Sequence, residues 1–171
     1  NNYGAENVIN RINSNKKIGI LGINIGPNKD TENRTEDYLK CLKIFHEVAD
    51  YITINISSPN TENLRKFHDQ KQLDDLLKNI EKEKKNLDSK IPIVVKVSPD
   101  IKNSEIDEIS NVLLSNNVKG VIISNTSDST RESLNNIQKH QKGGLSGKPI
   151  KSKSTIMINN FFKSLQGKIK I

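Results

Sequence analysis

The segment Ile52-Thr-Ile-Asn-Ile-Ser-Ser-Pro-Asn-Thr61 begins as an apolar strand and ends in a cluster of amide and hydroxyl groups. Pro59 cannot donate a hydrogen bond to a sheet, so the strand is predicted to end close to it. Buried polar groups cost free energy unless they find partners, so their crowding at a strand's carboxyl end indicates a ligand-binding rim. Taken alone, the same composition is equally typical of an ordinary polar turn.

Apolar segments and amphipathic helical patterns alternate along the rest of the chain. Strands are predicted to begin near residues 18, 51, 91, 120 and 169, with a helical pattern in every gap. This repetition is typical of parallel strands joined by right-handed crossovers. The near-continuous apolar strands indicate a sheet that helices cover on its outer face.

The element boundaries follow from local signals. The first strand is predicted over Ile18–Gly26, and the Thr35-Glu-Asp segment is predicted to cap a helix that runs to about Ala49. A later helix is predicted to open at Ser104, with Asp107 placed for a capping-box contact. The last helix is predicted from the helical spacing of Ile158, Phe161, Phe162 and Leu165.

Two architectures fit this alternation, an open doubly wound sheet and a (β/α)8 TIM barrel. No Gly-rich dinucleotide fingerprint follows any strand, which favours the barrel. A complete barrel needs roughly 250 residues. Residues 1–171 are therefore predicted to form one partial barrel domain, a central portion with about four to five parallel strands that is truncated at both ends.

Composition excludes several classes of function. The net charge is +7, but the lysines are scattered among acidic residues, as in residues 78–90, so a solvated surface is favoured over a nucleic-acid site. The single Cys41 excludes an internal disulfide and indicates a reducing compartment. The three histidines lack metal-ligand spacing, so no metal is predicted. No apolar run is long enough to span a membrane.

Four successive strands carry a polar residue near their exits, namely Asn24, Asn55, Lys96 and Asn125. Active sites of barrels lie at the carboxyl ends of the strands. Three amides and one ammonium suit a planar ligand that is rich in carbonyl and ring N–H groups. No carboxylate pair or Cys/His pair occurs at these exits, which argues against a glycosidase, a metal hydrolase or a cysteine enzyme.

Six segments of the chain resemble motifs of the dihydroorotate dehydrogenase family, in the same order and with similar spacing. The segments are Asn1–Gly4, Gly22–Thr31, Asn55–Thr61 with Leu64-Arg65, Val95–Asp100, Ser124–Thr126 and Gly143–Gly147. The resemblance covers essentially the whole chain. It implies an FMN-containing (β/α)8 barrel that oxidises dihydroorotate to orotate in pyrimidine biosynthesis.

The resemblance also implies roles for individual residues. Ser58 matches the catalytic base that removes the C5 proton, with Thr61 a candidate proton relay. The positions that match substrate contacts are Asn55, Asn60, Asn125 and Thr126. The positions that match FMN contacts are Asn24, Asn55, Lys96, Ser124 and Gly147.

A serine at position 58, rather than a cysteine, is typical of the class 2 enzymes, which pass electrons to a quinone. This implies peripheral association with the cytoplasmic side of the bacterial inner membrane, or with the mitochondrial inner membrane, through a segment absent from this chain. Relatives usually have Pro-Gly where this chain has Glu62-Asn63. The resemblance implies that this loop closes over the substrate, so the loss of the Pro-Gly turn is expected to change how the loop moves.

Two other interpretations stay open. Another FMN barrel enzyme could act on a different pyrimidine, although such relatives would have a cysteine at position 58. A truncated, non-catalytic binding domain could also use the basic surface. The intact Ser58, Lys96 and asparagines argue against such decay.

Overall fold

The computed structural model of the protein describes residues 3–58, 64–129, 131–132 and 134–171. In chain order, the helices and strands are α1 Ala5–Asn13, β1 Gly22–Ile25, α2 Arg34–Phe45, β2 Tyr51–Asn55, α3 Gln70–Asn86, β3 Ile93–Val97, α4 Asn103–Ser115, β4 Gly120–Ile123 and α5 Lys151–Leu165. Short 3-10 turns cover Leu64–His68, Ile137–His140 and Lys148–Ile150.

The four strands form one parallel sheet in the order β1-β2-β3-β4. Strand order follows chain order without a reversal, whereas a doubly wound sheet reverses at a switch point. Sequential parallel strands with intervening helices are the pattern of a (β/α) barrel wall, so the predicted partial barrel is favoured over the open sheet. The predicted fifth strand is reduced to one parallel bridge between Gly120 and Lys170.

Alternation along the strands gives the sheet an apolar outer face and an inner face that carries polar residues together with Val94 and Ile122. Seven outer positions pack against the helices and are at most 4% exposed, and two more, Ile23 and Ile123, are partly buried; the seven are Ile25, Ile52, Ile54, Ile93, Val95, Val97 and Val121. The strand register brings the alternate positions onto the opposite face, among them Asn24, Thr53, Asn55 and Lys96. Burying each of the outer side chains stabilises the fold by roughly 1.5–3 kcal/mol. The core therefore depends on the outer positions, and the inner positions are available for a site.

The helices bury one side each against this sheet. In α3 the buried apolar residues follow helical spacing, as predicted, and are Leu73, Leu76, Leu77 and Ile80; Lys84 is buried one turn further along. In α5 the four residues predicted at helical spacing differ in burial. Phe161 and Leu165 are fully buried, whereas Ile158 and Phe162 are 40% and 62% exposed. Within the described ranges, no helix combines the length and apolar content that crossing a bilayer requires.

The predicted start of the first strand at Ile18 is wrong. Ile18 and Ile20 are 89% and 83% exposed, and β1 begins only at Gly22. Gly19 has a φ of 81°, a left-handed conformation that interrupts extended backbone. The Asp50 carboxylate accepts a hydrogen bond from the Leu21 N–H at 2.6 Å, so that the donor is used by a side chain rather than by a strand.

Two helix caps also differ from the prediction. The cap of α2 is Asn33, whose side chain accepts from the Glu36 N–H, and the helix ends at Phe45 rather than near Ala49. At the start of α4 the Glu105 carboxylate accepts from the Lys102 N–H at 2.8 Å. Asp107, which was predicted for this role, instead accepts from the Ser164 hydroxyl of α5 at 2.6 Å.

Candidate active site at the strand exits

The polar inner face has its centre at Asn55 and Lys96, the last or penultimate residues of neighbouring strands. The register pairs Asn55 of β2 directly with Lys96 of β3, so their side chains leave the sheet side by side. Asn24 of β1 pairs with Thr53, two residues before Asn55 on the same face. The structure thus brings three of the four predicted strand-exit residues onto one surface.

Asn55 is held from both sides. Its side-chain Oδ1 accepts from the Ser57 N–H at 3.2 Å and from the Ser57 hydroxyl at 2.6 Å. Its main-chain carbonyl accepts from the Tyr38 hydroxyl of α2 at 2.7 Å. Burial raises the pKa of Tyr38 well above its usual range, against a smaller opposing effect of Arg34, so the hydroxyl remains a donor. Since Oδ1 is occupied, the Nδ2 amide of Asn55 is the group it can offer to a ligand.

A hydrogen-bonded chain continues from Asn55 across the rim to the exit of β4. Asn125 donates from Nδ2 to the Ser57 hydroxyl oxygen at 2.9 Å, and its Oδ1 accepts from the Thr126 N–H at 2.8 Å. Ser57 is fully buried between the two asparagines. Three of the residues that match substrate contacts, Asn55, Asn125 and Thr126, are therefore one connected unit.

The remaining candidates lie around this unit. Ser58 is half-buried and directly follows Ser57, and the Ser124 hydroxyl donates to the Asn125 carbonyl at 3.2 Å. Gly147 is more distant: it lies at the end of the loop that follows β4, with a φ of 79° that favours glycine. Asn60, Thr61 and the Glu62-Asn63 pair lie outside the described residues.

The glycine-rich loop over residues 143–147 folds back against the exit of β4. Ser127 and Leu145 exchange two main-chain hydrogen bonds, at 2.9 and 2.6 Å. A Cβ at Gly144 would collide with the Thr126 side chain, so only glycine allows this close approach. The loop is thereby fixed against a residue of the connected unit, which links Gly147 to the same end of the sheet.

Sequence reasoning missed three residues of this region as site residues: Ser57, His68 and Asp100. Burial is the main reason that the pKa of His68 is lowered to about 4, and Arg65 lowers it further, so the ring is neutral at pH 7. Its Nε2 accepts from the Ser98 N–H at 3.4 Å. The only sequence signal for Asp100 is its place in the Ser98-Pro99-Asp100 turn after β3, because its partners are distant in the chain.

The described site residues offer amides, hydroxyls and an ammonium. Neither the described rim nor the rest of the described chain contains a cluster of three His, Cys, Asp or Glu side chains that could hold a metal ion. Cys41 is half-buried on α2, and burial, with a smaller effect of Asp37, raises the pKa of its thiol. The arrangement is thus suited to orienting a planar polar ligand by hydrogen bonds and positive charge.

Comparison with known proteins gives a consistent result. The family model described as dihydroorotate dehydrogenase matches residues 1–171. The dihydroorotate dehydrogenase (quinone) of Wigglesworthia glossinidia brevipalpis is 47% identical over 178 residues, and that of Haemophilus ducreyi is 42% identical over 177 residues. Each alignment covers 100% of this chain and 53% of the relative.

Solved structures agree with the fold. DHODH from Eimeria tenella in complex with ferulenol superposes with a TM-score of 0.91 at 30% identity, covering 98% of this chain and 51% of the other. The ligand-free form from the same organism gives a TM-score of 0.90 at 31% identity. The chain thus spans about half the length of its curated relatives. The sheet is a partial TIM barrel, and the chain belongs to the dihydroorotate dehydrogenase family.

Proposed function

We propose that the protein oxidises (S)-dihydroorotate to orotate in pyrimidine biosynthesis, with FMN as cofactor and a quinone as electron acceptor. The observation that carries the proposal is the hydrogen-bonded unit of Asn55, Ser57 and Asn125 at the strand exits, with Lys96 beside it. Family membership supports the reaction, and the relatives named as quinone enzymes support the acceptor.

The connected unit would bind the pyrimidine ring. Asn55, Asn125 and Thr126 present amide and hydroxyl groups that match the carbonyl and N–H groups of dihydroorotate. Asn60 would add a further amide. Because Ser57 already holds the Asn55 side chain through Oδ1, little side-chain freedom is lost when the substrate binds. The contribution of this unit to the rate would be orientation of the reacting carbon atoms.

The inner-face residues fit an FMN ring. Asn24, Asn55 and Ser124 would hydrogen-bond to it, and Lys96 would provide positive charge that stabilises the electron-rich reduced ring. Apart from its two chain neighbours, no described residue has a heavy atom within 4 Å of the place where a side chain at Gly147 would begin, which leaves room for a bound group. The chemistry that FMN supplies when bound is acceptance of a hydride from the substrate and onward transfer of electrons.

Ser58 would remove the proton from C5 of dihydroorotate as the hydrogen at C6 leaves as hydride. A serine hydroxyl is a weak base in water, so this role needs a desolvated site and an outlet for the proton. The half-buried position of Ser58, next to the fully buried Ser57, supports the first requirement. Thr61 is our candidate for the outlet.

Electron transfer to a quinone places the enzyme at a membrane surface. We infer peripheral association with the cytoplasmic side of the bacterial inner membrane, through a segment outside these 171 residues. The bacterial relatives that are named as quinone enzymes support this location. Extraction of the protein from membranes by high salt or detergent, but not by buffer alone, would test it.

The test of the reaction uses the chain expressed with any coding sequence that adjoins it in its gene. Dihydroorotate is added without oxygen, and the absorbance of oxidised flavin is followed in the parent, in Ser58→Ala and in Ser152→Ala. Ser152 is an exposed serine of α5 and serves as the matched control. Loss of a general base slows such reactions about 10²–10⁴-fold, so only Ser58→Ala should bleach slowly.

Each other result has a definite meaning. Bound flavin that dihydroorotate does not bleach in the parent would refute the substrate. Failure of the parent to bind flavin would refute the assignment of the inner face. Equal bleaching in all three proteins would refute the role of Ser58 and leave the substrate supported.

A further inference from the structure

Asp100 lies where three segments of the candidate site meet. It follows β3 in the turn that leads to α4, and its side chain is 10% exposed. Its Oδ1 accepts from the hydroxyls of Ser127 and Ser129, at 2.6 Å each, and from the Lys153 ammonium. Its Oδ2 accepts from the Asp128 N–H at 3.1 Å. One carboxylate thus holds the whole turn that follows Asn125 and Thr126.

The same carboxylate also holds the segment Leu64–His68. Arg65 lies seven residues after Ser58, and its Nη1 is 3.2 Å from Asp100 Oδ2 and 2.7 Å from Asp128 Oδ1. The Nε and Nη2 atoms of Arg65 are buried and find no acceptor among the residues that the structure describes. Among those residues, the two carboxylates are therefore what fixes the guanidinium.

The charges within this cluster balance. Arg65 and Lys153 provide two cations, and Asp100 and Asp128 provide two anions. Burial by itself raises the pKa of Asp100, but hydrogen bonds from Lys153, Ser127 and Ser129 outweigh it and hold the pKa well below its usual range. The carboxylate is therefore charged throughout the pH range in which an enzyme of this kind works, and charge-assisted bonds of this type are about twice as strong as neutral ones.

We propose that Asp100 is a positioning residue, whose carboxylate fixes the Leu64–His68 segment against residues 127–129 and thereby stabilises the rim on which Ser57 joins Asn55 to Asn125. This inference rests on the proposed function for the roles of those residues. Asp100 would act through Arg65 on one side and through Ser127 and Asp128 on the other, without contact to the substrate. The hydrogen bond between Asn125 and Ser57 keeps its geometry only while the turn after Asn125 is held in place, and a displacement of about 1 Å can slow a reaction about 100-fold.

The decisive variant is Asp100→Asn, which keeps the shape of the side chain and removes its charge. The matched control is Lys153→Met, which removes one contact to the same carboxylate and one to the Ser129 hydroxyl but leaves the link to Arg65 in place. In the flavin-loaded protein at saturating dihydroorotate, we expect Asp100→Asn to bleach flavin at least about 10-fold more slowly than the parent. Lys153→Met should stay within about 2-fold of the parent, on the same reasoning.

A second readout does not depend on activity. Hydrogen exchange is measured in the peptides over 64–69 and 124–129, with α2 as an internal reference. Asp100→Asn should raise exchange in both peptides together and leave α2 unchanged. Lys153→Met should leave exchange over 64–69 at the parental level. If Asp100→Asn does not fold, Arg65→Gln breaks the same link from the other side and should give the same slow bleaching and the same increase over 64–69.

The outcomes separate this inference from the proposed function. If the flavin bleaches normally in the parent and at the same rate in Asp100→Asn, the positioning role is overturned. Equal slowing in Asp100→Asn and Lys153→Met would also overturn it, because it would indicate general destabilisation. If the parent itself does not bleach, the proposed function fails, and the exchange of the two peptides alone decides whether Asp100 links the segments.

Discussion

Protonation of His68 is expected to destabilise the folded protein between pH 6.5 and pH 4. Burial, helped by the positive charge of Arg65, lowers the pKa of this histidine from 6.5 to about 4. Its Nε2 accepts a hydrogen bond from the Ser98 N–H, a contact that requires an unprotonated nitrogen. In the unfolded chain His68 takes up the proton at its ordinary pKa, whereas in the folded protein it does so only near pH 4. The contribution of His68 to stability is therefore fully present above pH 6.5 and is lost as the pH falls.

The size of the effect follows from the two pKa values. Each unit of difference corresponds to about 1.36 kcal/mol, so His68 contributes roughly 3 kcal/mol over the full range. Between pH 7 and pH 5, where only part of the titration occurs, the loss is about 2 kcal/mol. Asp100 does not contribute in that interval: its lowered pKa means that its stabilisation is present above the ordinary carboxyl pKa of 3.8 and is lost only below it.

The assay is urea unfolding of the parent, His68→Gln and His140→Gln at pH 7, 6 and 5. Glutamine cannot take up the proton, so the stability of His68→Gln should fall by about 2 kcal/mol less than that of the parent between pH 7 and pH 5. His140 is exposed, so its variant should follow the parent. Profiles of the parent and His68→Gln that stay parallel within about 0.5 kcal/mol, the scatter of neutral surface changes, would refute the reasoning.

Three further changes test the fold and the site. Tyr38→Phe removes the donor to the main-chain carbonyl of the half-buried Asn55 and should lower the free energy of unfolding in urea by about 1–3 kcal/mol. Tyr3→Phe, at a side chain that is 88% exposed, should cost almost nothing. Phe161→Ala should cost about 3–5 kcal/mol because the ring is fully buried, and Phe162→Ala, at 62% exposure, should cost less than half of that; equal losses would contradict the orientation of α5. Lys96→Met should weaken FMN binding about 10-fold because one charged contact is lost. The flavin that stays with the protein after ultrafiltration measures this, and unchanged retention would argue against a role of Lys96 in FMN binding.

The order of helices and strands could be predicted because it rests on local patterns. The residues of α3 that recur at helical spacing are the ones that face the core. The failure at Ile18 and Ile20 shows the limit of this reasoning: their alternation is typical of a strand, but pairing is decided by partners elsewhere. Here Asp50, distant in the chain, takes the donor of Leu21.

The site was predictable only in part, for a related reason. Polar residues at strand exits identify a rim, and parallel register then brings Asn55 next to Lys96. Which of two adjacent serines joins the asparagines could not be read from the chain, since Ser57 and Ser58 differ in burial and not in type. Asp100 was missed because its role comes from contacts with residues that lie 27 to 53 positions away.

The division of the sheet into two faces has a consequence for how such a protein can be altered. Every second strand position contributes to the core, and the positions between them contribute to the inner surface. A mutant library confined to the inner positions, with the residues of the outer face held constant, would keep the scaffold while it samples new ligand specificities. The same separation allows a lineage to change its substrate by small steps without passing through unfolded intermediates.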